Sequence, residues 1–212
     1  MGKIKQGILG GFSGKVGSVI GGSWKGKSYM RGIAVSTANP RTLKQRMQRT
    51  KFALAIATIR PIAAFLRIGF RQYAKGQTAF NAAMSYTFRN AITGTYPDYM
   101  IDYTKLLVSH GHLTGAYSAY ADVASGRIEL FWDDNSGMGN AQPNDQAMVV
   151  AINPARGESL YITDGASRSD GNVEMAISPY WTGDDVEVYL AFISEDEQNI
   201  AASVHCGTVT II

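Results

Sequence analysis

The stretch Val186-Glu187-Val188-Tyr189-Leu190-Ala191-Phe192 decides the fold class. Charge and aromatic residues interleave with aliphatics, so the segment reads as a strand. Short apolar runs of the same kind recur around it: Leu106–Val108, Ala116–Tyr120, Ile128–Trp132, Met148–Asn153, Leu160–Thr163, Val173–Ile177, Val186–Ile193 and Val204–Ile211. Turn chemistry separates them, as in Asp133-Asp134-Asn135-Ser136-Gly137, Asn153-Pro154-Ala155-Arg156-Gly157, Asp170-Gly171-Asn172 and Thr182-Gly183-Asp184. Seven or eight strands across residues 98–212 predict an antiparallel β-sandwich of immunoglobulin or fibronectin-III type. The single cysteine, Cys206, excludes an internal disulfide, and Trp132 is the expected core anchor.

Upstream, residues 39–97 read as helical. Asn39-Pro40 is a start signal, with Asn as cap and Pro in the first turn. Leu43, Met47, Thr50, Leu54 and Ala57 then recur at steps of three and four and predict the inward face. Pro61 ends or kinks this helix. A second helix is expected over Ile62–Lys75, stopped by Gly76, with Phe65, Ile68, Phe70 and Tyr73 as its bulky members. Thr78 is placed to cap a third, running through Asn90, with Phe80, Ala83, Met84 and Phe88 inward and Gly94 closing it. Tyr96-Pro97 then favours extended chain.

Residues 1–38 are glycine-rich and fold poorly alone. They predict a basic arm, or a short β-meander from about Gly17 to Val35 with turns at Gly21-Gly22 and Lys25-Gly26. The whole is thus expected to be an α+β multidomain chain. Its parts are a Gly-rich basic arm or β-meander (1–38), a basic helical region (39–97) and an acidic immunoglobulin-like β-sandwich (98–212).

Charge divides at the same place. Residues 1–97 carry 16 Lys or Arg and no Asp or Glu; residues 98–212 carry 4 and 17. The balance is +16 against −13, a formal +3 that hides two opposite halves. Cations unrelieved by acids cannot pair within their own half, so they meet the acidic half, phosphate or another subunit. The expected contact residues are Lys3, Lys5, Lys15, Lys25, Lys27, Arg31, Arg41, Lys44, Arg46 and Arg49, with Trp24 and Tyr29 as aromatics interleaved among them.

Other motifs carry little chemistry. Gly21-Gly22-Ser23-Trp24-Lys25-Gly26-Lys27-Ser28 matches the phosphate-cradling G-x-x-x-x-G-K-[ST] pattern. That pattern works between a strand and a helix, and here strand-like sequence follows it. His110-Gly111-His112 reads as a solvated pair at a strand edge, lacking a third metal ligand. Asp184, Asp185, Glu187, Glu195, Asp196 and Glu197 read as solvated turns, with weak calcium or a basic partner as the alternative. No nucleophile-elbow pattern supports a catalytic triad, and no reader of specific nucleic-acid sequence is evident. No enzyme, metal or cofactor is expected. Neither a signal peptide nor an apolar run long enough to span a membrane is read, so no membrane partner is expected. The expected location is cytoplasmic until assembly, and in the virion if phage-derived.

The runs Gly2-Lys3-Ile4-Lys5-Gln6-Gly7-Ile8-Leu9-Gly10-Gly11-Phe12-Ser13-Gly14-Lys15-Val16-Gly17, Gly22-Ser23-Trp24-Lys25-Gly26 and Tyr29-Met30-Arg31 carry a resemblance. So do Asn39-Pro40-Arg41-Thr42, Thr78-Ala79-Phe80-Asn81-Ala82-Ala83-Met84, Trp132-Asp133-Asp134-Asn135-Ser136-Gly137 and Tyr189-Leu190-Ala191-Phe192-Ile193-Ser194. Together they resemble an uncharacterised domain-of-unknown-function family of Bacteroidota and their mobile elements, which implies no activity. Residues 17–57 are also similar to small proteins encoded among phage and prophage structural genes. The expectation is a non-enzymatic structural or assembly protein, a homo-oligomer that meets other assembly proteins. The alternatives are a sequence-independent nucleic-acid-binding protein and an adhesin or carbohydrate-binding module.

Overall fold

The computed structural model describes residues 2–4, 10–24, 26–34, 36, 41–124 and 126–212. The chain forms two compact units, Met1–Thr42 and Leu43–Ile212. The expected Asn39-Pro40 helix start lies outside the described residues.

The first unit is an antiparallel sheet of four strands in chain order: β1 (Lys3–Ile4), β2 (Phe12–Val16), β3 (Val19–Trp24) and β4 (Lys27–Gly32). The meander therefore begins earlier than the sequence suggests. Gly21-Gly22 is not a turn but part of β3, and the chain reverses instead at Gly17-Ser18. The Tyr29 ring of β4 lies over Gly22, where a Cβ would sit 3.0 Å from Tyr29 Cζ and press on the ring.

The second unit is α+β. It opens with α1 (Leu43–Ile59), α2 (Ala63–Gly69) and α3 (Ala79–Asn90). Thr78 caps α3 as expected, its Oγ1 accepting the Asn81 N–H at 3.1 Å. The second helix is much shorter than Ile62–Lys75. Gly69 packs against the backbone at Val108–Ser109, and its carbonyl accepts the His110 N–H at 2.9 Å, so the chain leaves the helical path into a 3-10 turn, Arg71–Tyr73. In α1 the buried residues are Ala55 and Ile59; Leu43, Thr50 and Ala57 of the expected inward face are exposed. Apolar residues surround the C-terminal half of this helix, so spacing alone selects the wrong stripe.

Gly94 does not close α3. It lies in β5 (Ile92–Thr95), which pairs with β6 (Asp98–Ile101), and Tyr96-Pro97, a cis peptide, forms the turn between them. Leu106 and Val108 are buried, but Leu106–Val108 is no strand: the Val108 N–H donates to Ser203 Oγ at 2.9 Å rather than to a ladder. The remaining runs are strands: β7 (Tyr117–Ala124), β8 (Arg127–Asp133), β9 (Gln146–Asn153), β10 (Glu158–Ile162), β11 (Asn172–Ala176), β12 (Asp185–Ile193) and β13 (Val204–Thr210). They form two antiparallel sheets, β10-β9-β12-β13 and β11-β8-β7.

The central strands of the four-stranded sheet, β9 and β12, are buried on both faces. Val149 and Ala151 of β9, with Val188, Leu190 and Phe192 of β12, meet Ile128, Leu130 and Trp132 of the three-stranded sheet. The alternate residues Met148, Val150, Ile152, Tyr189, Ala191 and Ile193 meet Ile59, Phe65, Leu66 and Phe70 of the helical region. Because successive strand side chains point to opposite faces, one strand serves two cores. Helices and sheets thus share one unit, and the compositional change at Asp98 falls inside it, within the β5–β6 hairpin.

Candidate functional site

The β1–β4 register brings the scattered N-terminal contact residues together. Lys3 pairs with Ser13, two residues from Lys15; Lys15 pairs with Ile20; Ile20 pairs with Arg31; Trp24 pairs with Lys27; Gly22 pairs with Tyr29. Cross-strand partners and residues two apart share a face. Lys3, Lys15, Trp24, Lys27, Tyr29 and Arg31 therefore occupy one face, and all six are exposed, Trp24 by 70%. The site is a basic, aromatic sheet face. Lys5 and Lys25 lie outside the described residues. Lys44, Arg46 and Arg49 are exposed along α1 in the second unit, and Arg41 is exposed near the end of the first.

Electrostatics separates these cations from those of the acidic half. All four cations beyond residue 97 are paired: Lys105 with Asp102 at 2.7 Å, Arg127 with Glu129 at 2.8 Å, Arg156 with Asp184, and Arg168 with Asp145 at 3.1 Å. Arg168 is fully buried. It also donates to Asn135 Oδ1 (2.6 Å), Thr114 O (2.9 Å) and Gly115 O (3.2 Å), and its guanidinium carbon lies 3.8 Å from the Phe192 ring centroid. Burial draws its pKa down, and the Asp145 carboxylate opposes that shift. Among the described residues, and with Arg49 having a partner of its own, no cation of residues 1–97 is seen in an ion pair. Lys51 instead lies 4.8 Å over the Tyr99 ring.

The remaining sequence motifs resolve as follows. The G-x-x-x-x-G-K-S match sits on the β3–β4 antiparallel hairpin, where no helix follows to present amides to a phosphate. His110 is not at a strand edge. Its ring stacks on Tyr73 at 4.2 Å, with Phe70 and Tyr86 also near, and burial first, His112 second, holds its pKa below the ordinary histidine value. Among the described residues no three His, Cys, Asp or Glu side chains converge as a metal site. Not all the carboxylates are solvated turns. Glu187 is nearly buried and bonded to His205 Nε2 (2.7 Å) and Thr208 Oγ1 (3.0 Å). The Arg156 guanidinium first, then the Asn153 amide, hold Asp184 below the usual carboxylate range.

A feature that sequence reading did not isolate is an apolar groove of about 500 Å³ between α1 and α3. Phe80 and Phe88, expected in the core, are only half-buried because they line this groove with Phe52. Their spacing, Phe52–Ile56 on one helix and Phe80–Met84–Phe88 on the other, was the available signal. No single helix among the described residues is long and apolar enough to cross a membrane.

Comparison with known proteins supplies a family and no activity. The model described as a family of unknown function (DUF6266) matches residues 11–207. No curated protein matches the chain.

Proposed function

We propose, for a chain that belongs to the DUF6266 family, the role of a non-enzymatic structural or assembly protein that docks through its basic sheet face and presents its β-rich unit. One observation carries the reading: the register gathers Lys3, Lys15, Lys27 and Arg31 with Trp24 and Tyr29 on one exposed face. Residues 1–42 contain no acid, so nothing in that unit neutralises the face. A face of this kind associates with an anionic surface, here the acidic exterior of another subunit or of a second assembly protein.

The β-rich unit is read as a fibronectin-III-type sandwich. Lettered A, B, C, C′, E, F and G in chain order, β7 to β13 fall into sheets A-B-E and C′-C-F-G, and that order supports the reading. The setting we favour is a phage or prophage particle, supported by the likeness of residues 17–57 to phage structural-region proteins. Light scattering of the full chain tests the proposal. Masses above the 22.9 kDa monomer at low salt that fall as salt rises are expected, and a monomer at every ionic strength overturns it.

A second reading, sequence-independent nucleic-acid binding, is favoured by the exposure of Trp24 and Tyr29 beside Lys27 and Arg31, an arrangement on which bases stack. Its mark is steep salt dependence of gel shifts from counterion release. Absent shifts, or shifts unchanged between low and moderate salt, sink it.

A further inference from the structure

We infer that the groove between α1 and α3 is the seat of an amphipathic helix with acidic flanks, supplied by a different polypeptide. The inference deepens the assembly reading by naming the chemistry of one partner, yet it concerns a surface separate from the basic sheet. Phe52 and Ile56 form one wall, Phe80, Met84 and Phe88 the other, and Arg89 stands at its margin. Side chains four apart on two adjacent helices make two parallel ridges, and the trough between them accepts a third helix through its own i, i+3/i+4, i+7 stripe. Phe52 is 51% exposed in the free chain. An exposed apolar surface rimmed by polar groups marks an interaction site.

Charge selects the occupant. Arg89 lines the groove and is exposed, exposed Lys44 stands one turn before the lining residue Gln48, and residues 1–97 hold no acid. A second copy seated groove to groove sets these cations against themselves, as a two-fold contact demands. The N-terminal segment of this chain is equally basic, so it brings the wrong sign. The acidic half has the right sign but, among the described residues, supplies strands and 3-10 turns and no α-helix. A bilayer is disfavoured by shape, since Met84, the most buried lining residue at 8% exposed, is met by a narrow ridge of side chains rather than by a flat surface. What fits is a foreign helix with an apolar stripe and Glu or Asp on its flanks.

The test is fluorescence anisotropy of the full chain with three labelled designed helical peptides. One has a Leu stripe and Glu flanks, one the same stripe with Lys flanks, and one Ser in place of the stripe. The Glu-flanked peptide is expected to bind at least about tenfold more tightly than either control, and more weakly as salt rises. Phe52→Ser, at an exposed position, and Arg89→Glu are each expected to weaken it by about tenfold, with circular dichroism unchanged. No binding of the Glu-flanked peptide, equal binding of Glu- and Lys-flanked peptides, or binding indifferent to Phe52→Ser overturns the inference. So does saturable binding to phosphatidylcholine/phosphatidylserine vesicles that the Glu-flanked peptide does not displace. A peptide failure alongside salt-sensitive self-association removes the groove inference and leaves the assembly reading standing.

Discussion

The cations before residue 98 and those after it solve opposite problems. Lys105, Arg127, Arg156 and Arg168 are each held by a carboxylate of their own half, and for Arg168 that pairing offsets the cost of full burial. The cations of β1–β4 lie together on one exposed face with aromatics between them. In the acidic half every cation has a carboxylate partner and Arg168 is a structural part of the core; in the basic sheet the cations form a surface. Local charge balance, rather than charge count, tells the two apart.

The largest effect that can break this comparison is at Arg168. Removing one member of a buried pair strands the other, so Arg168→Ala is expected to cost about 3–5 kcal/mol in urea denaturation. Arg46→Ala, on the exposed face of α1, is expected to stay within about 0.5 kcal/mol. Equal losses at the two sites would erase the distinction. Next is Tyr189→Phe, which removes the hydroxyl that donates to the Tyr103 carbonyl at 2.8 Å across the helix–sheet core. A loss of about 0.5–1.5 kcal/mol is expected, with residues 43–212 still melting in one transition. Two separate transitions would restore a module boundary at Asp98.

A pH effect follows from His110. Its folded pKa lies below the ordinary histidine value of about 6.5, so the unfolded chain binds that proton first. The stability it contributes is complete above about pH 6.5 and is lost as pH falls below that value. Thermal melts should show the decline, and His110→Phe, which keeps a ring against Tyr73, should remove that component. The smallest effect is chemical: burial pushes the Cys206 thiol up to about 12, so it should react with a disulfide reagent only after denaturation.

Much of this fold is legible in the sequence. Strands β7 to β13 follow from apolar runs with turn residues between them, and the cap at Thr78 follows from residue type and position. The third layer is harder. Ala147–Ile152 is apolar at every position, which signals a strand covered on both faces, but nothing in the helical stretch says that it supplies the cover. The site is legible as composition and not as geometry. That Lys15, Trp24, Tyr29 and Arg31 share a face depends on the register set at Gly17-Ser18 and across the β3–β4 turn, and a slip of one residue would turn part of the set to the other side. The α1–α3 groove needed the true orientation of α1, which the all-round apolar character of its C-terminal half conceals.

The central claim is that the basic sheet face spends its charge outside the chain. It is tested most directly by light scattering at low salt on Lys15→Glu/Lys27→Glu/Arg31→Glu beside the wild type, with circular dichroism to confirm the fold. The account predicts that wild-type association is abolished and the variant runs as the 22.9 kDa monomer. A variant that associates as the wild type does would contradict it.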